Sequence, residues 1–450
     1  MNDCEFRRET STLQKFNCHQ RQYVREGEAK CMTKVNGRSP DIVIVGAGVI
    51  GASIAFHLAK RRAGHVVVLE REHIGKGGSG RSSALIRMHY TFPAEVQLAV
   101  KSLEIFENWK EIVGEPGEFR KTGFVRLVPN NEIDLLKANV AMLKSYGVKT
   151  DVIDCSDLKK LEPDWNLDDE PGIAYEPDSG YGDGAIVAQD FMSAARAMGV
   201  EYRPKTRVNG ILVNGEQVTG ISTTAGDVHC SRVVLANGPW SPQLVRELGI
   251  VLPIAPEFHE VAILRNPAGM KRGGAACIDS AHMFYFRSDS SDKTLIGDFY
   301  GKREHIDADN FPQRPSDEWI EEILEKACRR IPGLQNAEVM RGVTGLYDMT
   351  PDRRPLLGEV KGIRGLYVAA GFSGTGFKIS PAVGIAMSEL LLDGASKNID
   401  ISAFRPSRFE EGQPIKGQFE YQNDYSRQPT LKRVRSGSLW YPVFLLRASN

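Results

Sequence analysis

Apolar residues in this chain come in short runs that end at or near glycine. Asp41-Ile-Val-Ile-Val45, Val66-Val-Val-Leu69, Val233-Val-Leu-Ala236 and Leu366-Tyr-Val-Ala-Ala370 are mostly apolar with a β-branched bias, as strands buried on both faces of a parallel sheet are. After the first run Ile50, Ile54 and Leu58 recur every four residues, and after the last Val383, Met387 and Leu391 do the same, so each run feeds a helix. Strands and helices spread this way predict one α/β core assembled from separated segments. The intervening stretches hold amphipathic segments, Glu95–Trp109 and Asp317–Arg329, among short alternating runs. They predict a second, α+β domain inserted twice into the first. The expected borders are 41–90, 165–250 and 342–395 for the first domain, and 91–164 and 251–341 for the second.

The ends differ from this core. Residues 1–40 carry eight basic and five acidic residues without an apolar period, and read as a solvated extension. Residues 396–450 read as an irregular C-terminal extension. From 412 onward it has six Lys or Arg against two acids and ends in the apolar patch Leu439–Leu446, which suits a packed or frayed terminus, or docking on a partner or a membrane surface. Ile42–Ala59 runs 18 residues without a charge, but the glycines inside it favour a strand, a turn and a helix over a membrane span. No transmembrane segment is expected.

The 57 basic and 57 acidic residues cancel, which argues against nucleic acid or an anionic membrane as the main partner. The seven cysteines are an odd set without a C-x-x-C pair, which argues against a disulfide framework and a zinc site. No metal site is expected. With no apolar h-region after the early basic residues, the expected location is cytoplasmic.

Gly46-Ala-Gly48-Val49-Ile50-Gly51 follows the first run and opens the first helix, and Glu70 ends the next run. In such a unit the first glycine makes the tight turn, the second admits a pyrophosphate to the backbone, and the third lets helix and strand pack closely. Glu70 is placed to accept hydrogen bonds from ribose hydroxyls. The pattern predicts a bound dinucleotide, NAD(P) or FAD. The loop Gly75-Lys-Gly-Gly-Ser-Gly80-Arg81-Ser82-Ser83 offers more N–H and hydroxyl donors than a nicotinamide site uses, and suits a buried flavin with its phosphates.

Four segments together resemble the glycine/D-amino-acid oxidase family of flavoproteins, and within it the sarcosine-oxidase-like branch. They are the fingerprint with Glu70, the run Gly80-Arg-Ser-Ser-Ala-Leu-Ile-Arg-Met-His-Tyr90, Val233-Val-Leu-Ala-Asn-Gly-Pro-Trp-Ser241, and Gly371-Phe-Ser-Gly-Thr-Gly-Phe-Lys378. The resemblance implies FAD extended across a Rossmann-like domain, with its isoalloxazine ring at the border of a substrate domain built on a mostly antiparallel sheet. The residues expected to hold FAD are Gly46, Gly48, Val49, Ile50, Gly51, Glu70, Arg71, Gly80, Arg81, Ser82, Ser83, Val208, Ala236, Gly238, Trp240, Gly371, Phe372, Ser373, Gly374, Gly376, Phe377 and Lys378. The cysteine that binds the flavin covalently in monomeric sarcosine oxidases is replaced here by Gly345. Neither His73 nor His89 sits in a matching motif. Noncovalent FAD is therefore expected.

The implied reaction oxidises the carbon–nitrogen bond of a small secondary or primary amino acid such as sarcosine, giving an imine that water hydrolyses. Such a substrate needs one or two fixed cations for its carboxylate. Arg87 and Lys378 are the candidates, and both match family positions that face the carboxylate. Tyr347 matches an active-site aromatic residue of the branch. His259, in Glu257-Phe-His-Glu260, is the candidate to take up a proton as the amine binds. Asp348 and Asp352 with Arg353 and Arg354 read as an ion network borne on a turn. The electron acceptor is oxygen or another molecule. The lysine that assists oxygen in the monomeric oxidases aligns with Leu295, and Lys293 lies two residues away, so a quinone or a second flavoprotein is the alternative. Glycine or D-amino-acid oxidation would use the same cations. A flavin-bearing electron-transfer subunit of a larger complex is the reading from a different class.

Overall fold

The computed structural model of the chain describes residues 39–270, 274–299, 301 and 306–421. The extension 1–38 and the patch Leu439–Leu446 lie outside the described residues.

All four apolar runs become strands of one six-stranded sheet, in the order Leu356–Glu359, Leu366–Ala370, Val233–Leu235, Ile42–Val45, Val66–Leu69, Glu201–Arg203. Every neighbouring pair is parallel except the first, an antiparallel hairpin at the edge. Ile44, Val68 and Val234 face the helices Val49–Lys60, Pro93–Glu107, Gly184–Ala197 and Gly376–Asp393 in one core. Val43, Val67 and Val233 pack on the opposite side, against the three-stranded sheet Val208–Asn214, Gln217–Thr223, Val228–His229. Covering on both faces explains why these strands lack polar alternation. The charge-free stretch 42–59 forms the strand Ile42–Val45, a turn and most of the helix Val49–Lys60. Among the described residues no helix is long and apolar enough to cross a membrane.

The second sheet has eight strands, in the order Glu338–Met349, Ala255–Arg265, Lys293–Asp298, Phe284–Ser290, Ala276–Asp279, Phe124–Val128, Gly172–Glu176, Asp151–Ile153. Its pairs are antiparallel except that between Phe124–Val128 and Ala276–Asp279. The helix Asp317–Arg330 packs on one face. Its ends are well marked. Ser316 Oγ accepts the Trp319 N–H at 3.2 Å, Asp317 and Glu318 open the helix, and Arg329 and Arg330 close it, a polarity that suits the helix dipole. The other face carries Leu85, Phe124, Ile278, Tyr285 and Leu295, and so meets the segment that leads from the glycine loop to Arg87.

Three elements pair differently from the segment borders drawn on the sequence. Gly172–Glu176 belongs to the eight-stranded sheet, as does all of Glu338–Met349, although the borders place residues 172–176 and 342–349 with the nucleotide-binding segments. Conversely, Pro93–Glu107 packs against Gly376–Asp393, and Ser102 Oγ accepts the Ala382 N–H at 3.1 Å. An amphipathic pattern reports that one face is covered but does not say by which domain. Residues 396–421 hold only short 3-10 turns, as an irregular extension would, yet they bury Phe404, Arg408 and Tyr421 in the body of the protein.

Candidate active site

The turn after Ile42–Val45 is shaped by backbone contacts. Gly46 has φ +104°, and a Cβ added there would lie 2.7 Å from the Ala236 carbonyl oxygen. A Cβ at Gly51 would lie 2.0 Å from the Gly46 carbonyl oxygen. Only glycine lets strand, turn and helix close this tightly. Gly48 caps the helix Val49–Lys60, which has no acid in its first turn, and the Val49 N–H donates to Ser79 Oγ at 3.0 Å. The helix therefore presents its positive end without a competing carboxylate. Glu70 is fixed beside the turn: Oε2 accepts from the Ala47 N–H at 3.0 Å and Oε1 from the Glu72 N–H at 2.8 Å.

These groups border a cleft of about 490 Å³. Of the residues expected to hold FAD, Gly46, Gly48, Val49, Ile50, Glu70, Arg71, Arg81, Ser82, Val208, Ala236, Gly238, Trp240, Phe372, Gly374, Gly376 and Phe377 line it. Gly51, Gly80 and Gly371 stand behind the lining. Gly80 donates to the Gly75 carbonyl oxygen at 2.8 Å and keeps the loop closed. Ser83, Ser373 and Lys378 line the neighbouring cavity instead. Ser79, Asn237, Asp309 and Phe311 also line the cleft and escaped the sequence reading. Ser79 had a signal, since it lies inside the glycine loop. Asp309 and Phe311 arrive from a distant segment with no motif of their own. At the cleft edge Asp309 Oδ1 accepts from Arg71 at 2.6 Å and from Trp240 Nε1 at 2.8 Å, and the Arg71 guanidinium lies 4.1 Å from the Trp240 ring centroid. The volume, the glycine-lined helix terminus and the anchored Glu70 fit a dinucleotide of the size of FAD.

The strand Glu338–Met349 brings Tyr347 and Asp348 against the turn before the last helix. Asp348 Oδ2 accepts the Gly371 N–H at 2.6 Å, and the Asp348 carbonyl oxygen accepts the Ser373 N–H at 3.1 Å. Burial pushes the Asp348 carboxyl up to about 6, although the backbone N–H groups of Gly371, Phe372 and Ser373 pull the other way. At Gly374, φ +84°, an added Cβ would lie 2.5 Å from Tyr347 Cε2. Tyr347 and Gly374 thus form a wall shared by the cleft and a second cavity, of about 180 Å³.

Arg87, His259, Tyr347 and Lys378 all line this second cavity. Arg87 donates to the His89 carbonyl oxygen and lies over the rings of Tyr90 and Phe124. Lys378 donates to the Gly374 carbonyl oxygen at 3.3 Å. Burial, and then the nearby Arg87 charge, hold the Lys378 ammonium well below the usual lysine range, against the opposite pull of Glu95. His259 and Glu257 share one face of their strand, with His259 Nε2 3.0 Å from Glu257 Oε1. The His259 and Tyr347 rings stack, with centroids 3.7 Å apart. Tyr347 and Tyr285 hydrogen-bond through their hydroxyls, and burial pushes both phenols up.

Arg353, Arg354 and His89 also line the cavity, and so do Arg126 and Tyr421, which no motif marks. The turn does carry an ion network, but its partners lie elsewhere: Asp352 takes a two-pronged contact from the buried Arg408, at 2.8 Å for each oxygen, and Arg354 meets the buried Glu95 at 2.7 Å.

Known proteins resemble this chain in sequence and in fold. The chain is 28% identical over 390 residues to a sarcosine oxidase subunit beta of Arthrobacter sp, an alignment covering 84% of this chain and 93% of that protein. Among solved structures it is similar to L-proline dehydrogenase from P. horikoshii, with TM-score 0.78, 27% identity and coverage of 84% of this chain and 100% of that one. It is also similar to glycine oxidase from Geobacillus kaustophilus, with TM-score 0.71, 26% identity and coverage of 82% and 98%. The sequence model described as FAD dependent oxidoreductase, DAO, matches residues 41–390, and the chain belongs to that family.

Proposed function

We propose that the chain oxidises the carbon–nitrogen bond of a small, sarcosine-like secondary or primary amino acid, with FAD held noncovalently in the cleft. The observation that carries this reading is the pair Arg87 and Lys378 in a cavity whose wall, Tyr347 and Gly374, is shared with the nucleotide cleft. A cavity of 180 Å³ is slightly larger than one of about 150 Å³ that takes benzene. It therefore suits a ligand of roughly six to eight non-hydrogen atoms. Support for noncovalent FAD comes from Gly345, which has no nucleophile, and from His73 and His89, neither of which lines the cleft.

In this reading the helix start at Gly48 holds the pyrophosphate and Glu70 a ribose. When bound, FAD supplies the acceptor for a hydride equivalent leaving the carbon beside the nitrogen. The chain orients and deprotonates the substrate. Arg87 and Lys378 fix its carboxylate, and that anion offsets the repulsion between the two cations. Glu257 holds His259 through Nε2, which leaves the lone pair on Nδ1. Nδ1 has no hydrogen-bond partner among the described residues, so it is free to take the proton of the incoming ammonium. The aromatic rings of Tyr90, Tyr285 and Tyr347 exclude water until the imine forms.

One observation favours an acceptor other than oxygen. Leu295 lies in the apolar cluster with Leu85 and Tyr285, whereas Lys293 pairs with Arg265 at the far end of its strand. No cation from that strand then stabilises superoxide, and a quinone, a second flavoprotein or a partner subunit receives the electrons. Anaerobic reduction tests the whole reading, followed at roughly 450 nm with sarcosine, N-methyl amino acids, glycine and D-amino acids in turn. One of these should bleach the flavin within seconds, and air should restore the colour slowly. Bound FAD that none of them bleaches would sink the proposal.

A further inference from the structure

The C-terminal segment after Gly412 is strapped onto the body at several points. The Ile415 N–H donates to Asp352 Oδ2 at 2.9 Å, the Gln418 N–H to the Thr91 carbonyl oxygen at 2.7 Å, and Asn139 Nδ2 to the Phe419 carbonyl oxygen at 2.8 Å. The backbone approaches closely at Gly417, where a Cβ would lie 2.4 Å from Thr91 Oγ1. The strap carries Tyr421, which is only 1% exposed and packs with Val128, Leu136, Val140 and Ala174. Its hydroxyl lies 2.8 Å from His89 Nε2, and its ring lies 4.7 Å from the Arg126 guanidinium.

Position decides what this tyrosine does. Phe124 and Arg126 are two residues apart on one strand and share a face. Arg87 lies over Phe124, and Arg126 over Tyr421. The face therefore leads from the carboxylate anchor to the strap. Tyr421 lines the small cavity but not the nucleotide cleft, whereas Tyr347 and Gly374 line both. With the carboxylate on Arg87 and Lys378 and the reacting bond at the shared wall, the remaining substituent of the α-carbon is turned toward the strap. We infer that Tyr421 is a specificity-determining residue that sets how long a substrate side chain the cavity accepts. The inference rests on the cavity being the substrate site.

The test uses full-length, FAD-loaded protein and variants Tyr421→Leu, Tyr421→Ala and Tyr421→Phe. Anaerobic flavin reduction gives kcat/KM for sarcosine, N-methylalanine, N-methylvaline and N-methylleucine, in both configurations where they exist. One extra methylene against a fixed wall changes such ratios about tenfold or more. Relative to sarcosine, Tyr421→Leu and Tyr421→Ala should raise the ratio for the longest substrates at least about tenfold, mostly through KM, while Tyr421→Phe keeps the wild-type ratios. If the alanine variant fails to retain FAD, the leucine variant decides, since it keeps an apolar side chain among the same neighbours. Ratios within about twofold of wild type in a leucine variant that sarcosine still reduces overturn this inference alone. Wild-type protein that no amino acid reduces overturns the parent reading and takes this one with it.

Discussion

The nucleotide cleft and the second cavity share a wall but are built in opposite ways. The cleft reads its ligand largely with backbone. Its turn, its helix terminus and the anchor of Glu70 fall within residues 46–70. The second cavity is lined with side chains brought from strands Phe124–Val128, Ala255–Arg265 and Glu338–Met349, the helix Gly376–Asp393, the segment through Arg87 and the strap that carries Tyr421. A backbone site demands particular φ angles and close approaches, and so forces glycine at fixed spacing. A side-chain site needs only that the right groups arrive, which many chain paths can arrange. The first is rigid and general, the second separately adjustable residue by residue.

The widest gap between the two regions should show in Gly46→Ala. The substitution forces a side chain into φ +104° and puts a Cβ 2.7 Å from the Ala236 oxygen. Strain and overpacking together should cost about 4 kcal/mol or more. The purified variant should be colourless and melt well below wild type in a thermal scan. A yellow protein of wild-type stability would show that the turn tolerates what its geometry forbids.

Arg87→Gln should instead leave the cleft intact and disable the cavity. Removing one partner of a buried charged contact costs about 3 kcal/mol, or roughly 150-fold in kcat/KM for the amino-acid substrate. Dissociation constants for simple carboxylates, read from flavin absorbance, should rise in parallel with an unchanged flavin spectrum. An unchanged carboxylate affinity would remove Arg87 from the anchor.

The same contrast accounts for what the sequence disclosed. The fingerprint, Glu70 and the four buried strands were legible because a parallel sheet covered on both faces and a glycine turn leave a local record in spacing and residue type. Arg87, Lys378, Tyr347 and His259 were found one at a time, and the structure brings all four to one cavity. Arg126 gave no sign. It is a charged residue inside the otherwise apolar strand Phe124–Val128, and periodicity does not say what lies opposite. Tyr421 was hidden for another reason. Its extension reads as irregular, but Asp352 and the Thr91 carbonyl oxygen accept its backbone N–H groups and Asn139 donates to it, and none of these partners is local in sequence. The border 165–250 encloses the strand Gly172–Glu176 of the eight-stranded sheet because five residues of strand carry no address of their own.

Lys378 sharpens the comparison through pH. Burial and Arg87 lower its affinity for a proton in the empty cavity, and a bound carboxylate raises it again. Binding therefore takes up a proton between the two values, and carboxylate affinity should fall as pH rises past the lower one. Carboxylate titrations toward alkaline pH should show affinity falling before the usual lysine range is reached. Lys378→Met should bind more weakly at the acid end and lose the slope. A slope that survives the substitution would assign the proton to another group, His259 being the first to examine.

The smallest effect is expected where the cleft does rely on side chains. Asp309 joins Arg71 and Trp240 at the cleft edge, with Arg207 3.6 Å from its second oxygen. The cluster is partly exposed, so solvent screens it, and exposed pairs of this kind contribute about 0.2–1 kcal/mol. Asp309→Ala should speed FAD release about threefold at low salt, measured by the rise in flavin fluorescence after dilution, and the difference should vanish above about 0.5 M salt. Substrate affinity should not change, because Asp309 does not line the second cavity. A loss of substrate affinity without faster FAD release would reverse the assignment of these two regions. A release rate changed by more than about tenfold, more than such an exposed pair supplies, would show that side chains hold the cofactor as firmly as the backbone turn does.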